Sequence, residues 1–214
     1  MQISGVNNPL EAAKWGKTPI IQKKAVETSK SAMTDDYVEK LQELARKDAQ
    51  KGIYMDTEAM QLCHGQMAKY VSPDRSAPIS QMSQELQKAA QEHKEQQDPT
   101  LEFLDRMIEQ LRKSPKDRIV RSFSGLAGGC SGDLHSTPEN QVATVYSPDG
   151  EQIAHYNTSS GGWQNLTTKA ESQFIRDSNS IYKQAYDAAR AEMNVAKTPA
   201  QSATFSESTV DFRA

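Results

Sequence analysis

Cysteine is scarce in this chain, with Cys63 and Cys130 the two present in 214 residues. Two thiols exclude a disulfide framework and fit free cysteines in a reducing compartment. Apolar residues are also thin on the ground, at 36% of the chain with a mean hydropathy of -0.75. That composition excludes a large buried core and predicts a slight one. No apolar run approaches the length of about 18 residues that a membrane-spanning helix needs. The opening "MQISGVNNPL" lacks the charged and apolar regions of a signal peptide, so the expected address is the cytoplasm, with no membrane partner. Basic charge is not in excess either. Lys and Arg number 25 against 28 Asp and Glu, a net charge of -3, and no basic stripe exists to neutralise a phosphate backbone. Nucleic acid is therefore not an expected ligand. No phosphate loop, dinucleotide fingerprint or zincin helix occurs, and no cofactor is expected.

What the chain does have is helical patterning. Residues 1–33 show no sustained period and read as an extended N-terminal arm, and residues 197–214, rich in Ser, Thr and Ala, read as a flexible tail. A helical region spans 34–116. Thr34 is an N-cap residue followed by Asp35 and Asp36, and Tyr37, Leu41, Leu44, Ala45 and Ala49 then recur at helical steps until Gly52. A second helix begins after Asp56 or Thr57 and aligns Met60, Cys63, Met67 and Val71. A third, from Ser76 to Gln97, places Ile79, Met82, Leu86, Ala89 and His93 on one narrow stripe amid Gln, Glu, Lys and Ser. Something must cover that stripe. Two occupants are expected, a fourth helix from Pro99 to Lys113 or a partner molecule. Leu101, Leu104, Met107, Ile108 and Leu111 give that fourth helix the broadest apolar face in the chain.

Residues 117–196 read as a Gly-rich connector, a β-hairpin and a long helix. In "QVATVYSPDGEQIAHYN" two alternating runs flank Pro148, Asp149 and Gly150, which suit the fixed φ, local side-chain bonding and positive φ of a tight turn. Thr168 and Glu171, three apart, form a capping box ahead of a helix running to about Ala196. The expected fold class is thus α+β and helix-dominated, with about four amphipathic helices, a small antiparallel hairpin element and a long C-terminal helix.

Candidate chemistry centres on "SGLAGGCSGDLHS", Ser124 to Ser136. Gly128 to Gly132 fits a nucleophile elbow with Cys130 in the serine position, and His135 lies five residues on as a possible base. The elbow needs a strand before it and a helix after it, and neither flank reads that way, so the stretch is expected to be a flexible connector. His64 is a second possible base for Cys130. Cys63, His64, Cys130 and His135 together have the ligand types of a zinc site, but neighbours on a helix diverge by about 100° and cannot easily share one ion. No metal is expected. The leading expectation is a non-enzymatic interaction or accessory protein, binding a protein partner or itself through Ile79, Met82, Leu86, Ala89 and His93. A small cysteine-dependent enzyme using Cys130 with His135 or His64 and a self-assembling structural protein are the two alternatives.

Overall fold

A computed structural model describes residues 22–96 and 118–197. Among these residues lie five helices and one antiparallel sheet of five strands in the order β1-β2-β3-β4-β5. Helix α1 covers 22–32, α2 Asp35–Lys51, α3 Thr57–Tyr70 and α4 Ser76–Gln96. The strands are β1 Ile119–Leu126, β2 Cys130–Ser136, β3 Gln141–Tyr146, β4 Gln152–Asn157 and β5 Gly162–Asn165, and α5, Lys169–Lys197, follows. The expected helix from Pro99 to Lys113 and the tail after Lys197 fall outside the described residues.

The expected extended arm is helical over 22–32. Ala25, Ser29 and Ala32, spaced four and three apart, are all buried, which makes one helical face. Their small size left no apolar signal. Helix α2 starts and stops where its sequence directs: Thr34 Oγ1 accepts from the Tyr37 N–H, and Gly52, at φ 72, ends it in the left-handed region. Asp56 caps α3 by accepting from the Glu58 and Ala59 N–H groups. On α3 the buried residue is Ala59, Cys63 and Met67 are half-buried, and Met60 is exposed rather than on the buried stripe. The capping box forms as expected, with Thr168 N donating to Glu171 Oε2 at 2.8 Å and Glu171 N donating to Thr168 Oγ1 at 3.2 Å.

The larger correction concerns the Gly-rich stretch. Ser124 to Ser136 is not a connector but the end of β1, a short turn at Ala127–Gly129, and the whole of β2. The hairpin of β3 and β4 exists, closed through Gly150 N donating to Ser147 O at 2.8 Å, and it occupies the middle of a five-stranded meander.

Two cores result. The sheet core joins Met82, Leu86 and Ala89 of α4 to Leu126, Cys130, Leu134, Ala143, Val145, Ile153 and Ala154. The helical core joins Ala32, Tyr37, Leu41, Ala45, Ala59 and Val71 to Phe174 and Tyr182 of α5. Helix α4 packs with the sheet, and α5 packs with the early helices. Arg75 stands between the two cores. Its guanidinium donates to Glu171 Oε2 at 2.6 Å and Oε1 at 3.0 Å, to Leu166 O at 2.7 Å and to Ile153 O at 3.1 Å. A planar fork of donors suits such a junction because it can satisfy several fixed acceptors at once.

Candidate interaction site

The residues singled out in the sequence are scattered by the fold. Inward and outward positions alternate along β2, so Cys130, Gly132, Leu134 and Ser136 point to α4 while His135 is exposed. A separation of five along a strand sets Cys130 and His135 on opposite faces of the sheet. Burial, followed by the charge of Asp74, raises the pKa of the Cys130 thiol, the reverse of what activates a nucleophile. Cys63 sits against the other core, 3.3 Å from the Tyr37 hydroxyl, and burial raises its pKa as well. His64 is exposed on α3. No cluster of three or more potential metal ligands exists among the described residues. The structure therefore does not bring Cys130, His135, His64 and Cys63 together.

The stripe of α4 is not an open partner surface. Met82, Leu86 and Ala89 are buried against the sheet, with Ile79 packed beside them. His93 is buried too, its Nε2 3.0 Å from Ser136 Oγ. The cover is the sheet of the same chain, which the sequence had presented as a connector and one hairpin.

A different surface emerges at the turn from α2 to α3. Ile53 and Tyr54 are 50% and 52% exposed, although large apolar side chains are ordinarily withdrawn from water. The backbone carrying them is pinned on both sides. Before them, Gly52 N donates to Ala49 O and Ile53 N to Asp48 O. After them, Met55 adopts φ 53, the left-handed region that an unbranched residue enters only at a cost in strain. That conformation is held from below. Met55 N donates to the Tyr182 hydroxyl at 2.8 Å, and that hydroxyl donates to Asp48 Oδ2 at 2.6 Å. The same Asp48 Oδ2 accepts from Asp56 N at 3.1 Å.

Asp48 is fully buried, and its Oδ1 makes no hydrogen bond but lies 3.5 Å from Lys51 Nζ. A buried carboxylate needs such company. Burial and the bond to Asp48 push the Tyr182 hydroxyl well above the usual tyrosine range. The bond from Lys51, then that from the Ala59 N–H, lowers the Asp56 carboxyl to about 2. Tyr54 rests edge-on against Tyr182 and Tyr186, with ring centroids 5.3 and 5.1 Å apart. Sequence inspection missed this corner because Tyr182, which holds Met55 and Asp48, stands 127 and 134 residues from them. A signal was available in "GIYMD": two large apolar residues directly after a helix-ending glycine. The corner thus presents one aliphatic and one aromatic side chain on a backbone held by hydrogen bonds on both sides.

No helix among the described residues is long and apolar enough to cross a membrane. Compared with known proteins, the chain matches no family model, no curated protein and no solved structure.

Proposed function

We propose that this is a non-enzymatic interaction protein that docks a protein partner on the Ile53–Tyr54 corner. Support comes from one observation: two adjacent, half-exposed apolar side chains ride on a backbone held by a buried carboxylate, a tyrosine and a methionine in the left-handed region. Strain of this kind persists only where the surroundings over-determine it. A turn needed merely to join two helices has no use for it. An aromatic anchor already ordered before contact loses little entropy on binding, which is why such anchors dominate interfaces. We place that encounter in the cytoplasm, where Cys63 and Cys130 stay thiols.

The test is a photo-crosslinking residue at position 54 of the full chain in its host cells, with the same residue at exposed Val120 on the sheet as control. A discrete protein adduct from position 54, lost with Ile53→Ser and not formed from position 120, is the expected result. Equal labelling from both positions, or none from 54, overturns the proposal. Mass in solution separates self-assembly: an oligomer dispersed by Ile53→Ser makes the partner a second copy of this chain.

A further inference from the structure

A second site, independent of the corner, lies at the far end of α4. There the last turns of the helix meet the tight turn between β2 and β3 and the short turn after β4, leaving a cavity of about 340 Å³. That is within the size range of small-molecule sites. His93 and Lys94 line it from the helix, Glu139, Asn140 and Gln141 from the strand turn, and Thr158 from beyond β4.

Three features give the cavity a polarity. First, His93 is fixed. Gln141 Nε2 donates to Leu86 O at 3.0 Å and to Ser136 Oγ at 3.2 Å. The Ser136 hydroxyl is fully buried, and its Oγ lies 3.0 Å from His93 Nε2. That contact and the burial of the ring hold the imidazole in one orientation at the cavity wall. Second, the cavity wall bears one cation and one anion that do not neutralise each other. Lys94 and Glu139 are both exposed, and neither has an ion-pair partner among the described residues.

Third, Asn140 Oδ1 is buried with no hydrogen-bond partner. Its backbone cannot shift to find one, because Thr137 N donates to Asn140 O at 2.8 Å and Asn140 N donates to Thr137 Oγ1 at 3.1 Å. Orphaned acceptors of this sort are rare in folded proteins and call for a donor.

We propose that this cavity binds a small zwitterion of the α-amino-acid class. The ligand carboxylate pairs with Lys94 beside the His93 ring, and its ammonium pairs with Glu139 and with the side-chain Oδ1 of Asn140 after a turn of the amide. A simple anion would leave Glu139 and Asn140 unanswered, and a simple amine would leave Lys94 so. Both charges on one small molecule match the wall.

The experiment is a titration of the full chain, followed by backbone amide resonances, with L-alanine, L-serine, L-glutamate and L-lysine one at a time. Acetate, methylammonium and N-acetyl-L-alanine serve as controls. At least one amino acid is expected to shift residues 90–94 and 137–141 with a Kd at or below about 10 mM. The controls should bind at least about tenfold more weakly. Lys94→Ala and Glu139→Gln, both at exposed positions, should each weaken binding by about tenfold or more while leaving the melting temperature in place. The inference falls if no amino acid shifts these resonances, if acetate or methylammonium binds as well, or if neither variant weakens binding. None of these outcomes bears on the Ile53–Tyr54 corner, which is read by crosslinking.

Discussion

In the helical core the largest buried side chains carry hydroxyls, and in the sheet core they are almost all hydrocarbon. Tyr37 and Tyr182 are each buried to within 1% of completely, with Ser29, Asp48 and Ser178 beside them. The Tyr37 hydroxyl lies 2.8 Å from Ser178 Oγ, and Ser29 Oγ donates to Asp177 Oδ2 at 2.6 Å. Across the molecule, Leu134, Ile153, Val145 and Met82 fill the space under α4 with no polar atom among them. The difference is one of what fixes the packing. Helices built from Ala, Ser and Tyr meet through directional bonds that admit few arrangements. The sheet and α4 meet mainly through volume, with Trp163 Nε1 to Ser83 Oγ and Arg121 to Glu92 as partly exposed ties and His93 with Ser136 as a buried one.

Cutting the junction should have the largest effect. Arg75→Met leaves Glu171 buried and unanswered and is expected to cost about 3–5 kcal/mol in denaturant unfolding at pH 7. The double variant Arg75→Met with Glu171→Gln should recover part of that. Burial alone would raise the Glu171 carboxyl, but bonds from Arg75, then Ser72 and the Thr168 N–H, hold it below its ordinary value. A lowered folded pKa stabilises above the unfolded value of about 4.3 and loses that contribution as pH falls toward the folded one. The gap between wild type and Arg75→Met should therefore narrow below about pH 4. A gap that is constant with pH would mean that the pair does not join the cores.

Leu134→Ala should come next, at about 2–5 kcal/mol, because it opens a cavity where side chains from α4 and three strands converge. Its unfolding transition, followed by Trp163 fluorescence and by helical circular dichroism, tests whether the cores melt together. Coincident curves are expected while Arg75 is present.

How much of this was legible in the sequence followed the same division. The helical elements read well where apolar bulk or a cap marked them, as with Thr34, Gly52 and the Thr168/Glu171 box. Helix α1 went unread because its buried face is Ala25, Ser29 and Ala32. Strand β2 was hidden for a related reason. Two of its inward positions are Gly132 and Ser136, and a Cβ on Gly132 would come within 2.7 Å of Met82 Cε and 3.1 Å of Thr144 O. Close approach of the helix demanded a small residue, and that residue made the strand look like a loop. The buried stripe of α4 was legible, but not what covers it. At the candidate corner only the apolar pair after Gly52 was legible, and not what holds it, since Asp48 and Tyr182 stand 134 residues apart.

Tyr182→Phe should be smaller but should expose the network's character, costing about 1–3 kcal/mol by leaving Asp48 and the Met55 N–H short of partners. The raised Tyr182 and Tyr37 hydroxyls stabilise below the unfolded tyrosine value of about 10 and lose that contribution as pH climbs toward the folded values. Two of the seven tyrosines should then ionise only as the protein unfolds in alkali, and Tyr182→Phe should leave one. All seven titrating together near pH 10 would show the network to be open to water.

The smallest effect concerns the thiols. Both are raised by burial, Cys130 fully enclosed in the sheet core and Cys63 half-buried against the helices. Alkylation at pH 8 should modify Cys63 first, with Cys130 reacting at the rate at which the sheet core opens. Faster modification of Cys130 would mean that the apolar core is the looser of the two.

The helical core draws Ala32 to Val71 from early in the chain and Phe174 and Tyr182 from near its end, with α4 and the sheet between them. During synthesis, α2 and α3 must therefore wait, apolar faces uncovered, while about a hundred further residues are made. At ordinary elongation rates that interval lasts on the order of ten seconds. Helix α4 and the meander, all made before α5, can close their own core first and present Ile153 and Leu166 as fixed carbonyls for Arg75. Emergence of α5 then supplies Glu171 to that arginine and Phe174 and Tyr182 to the waiting helices. Of the described helices, the one made latest completes the core that the earliest begin.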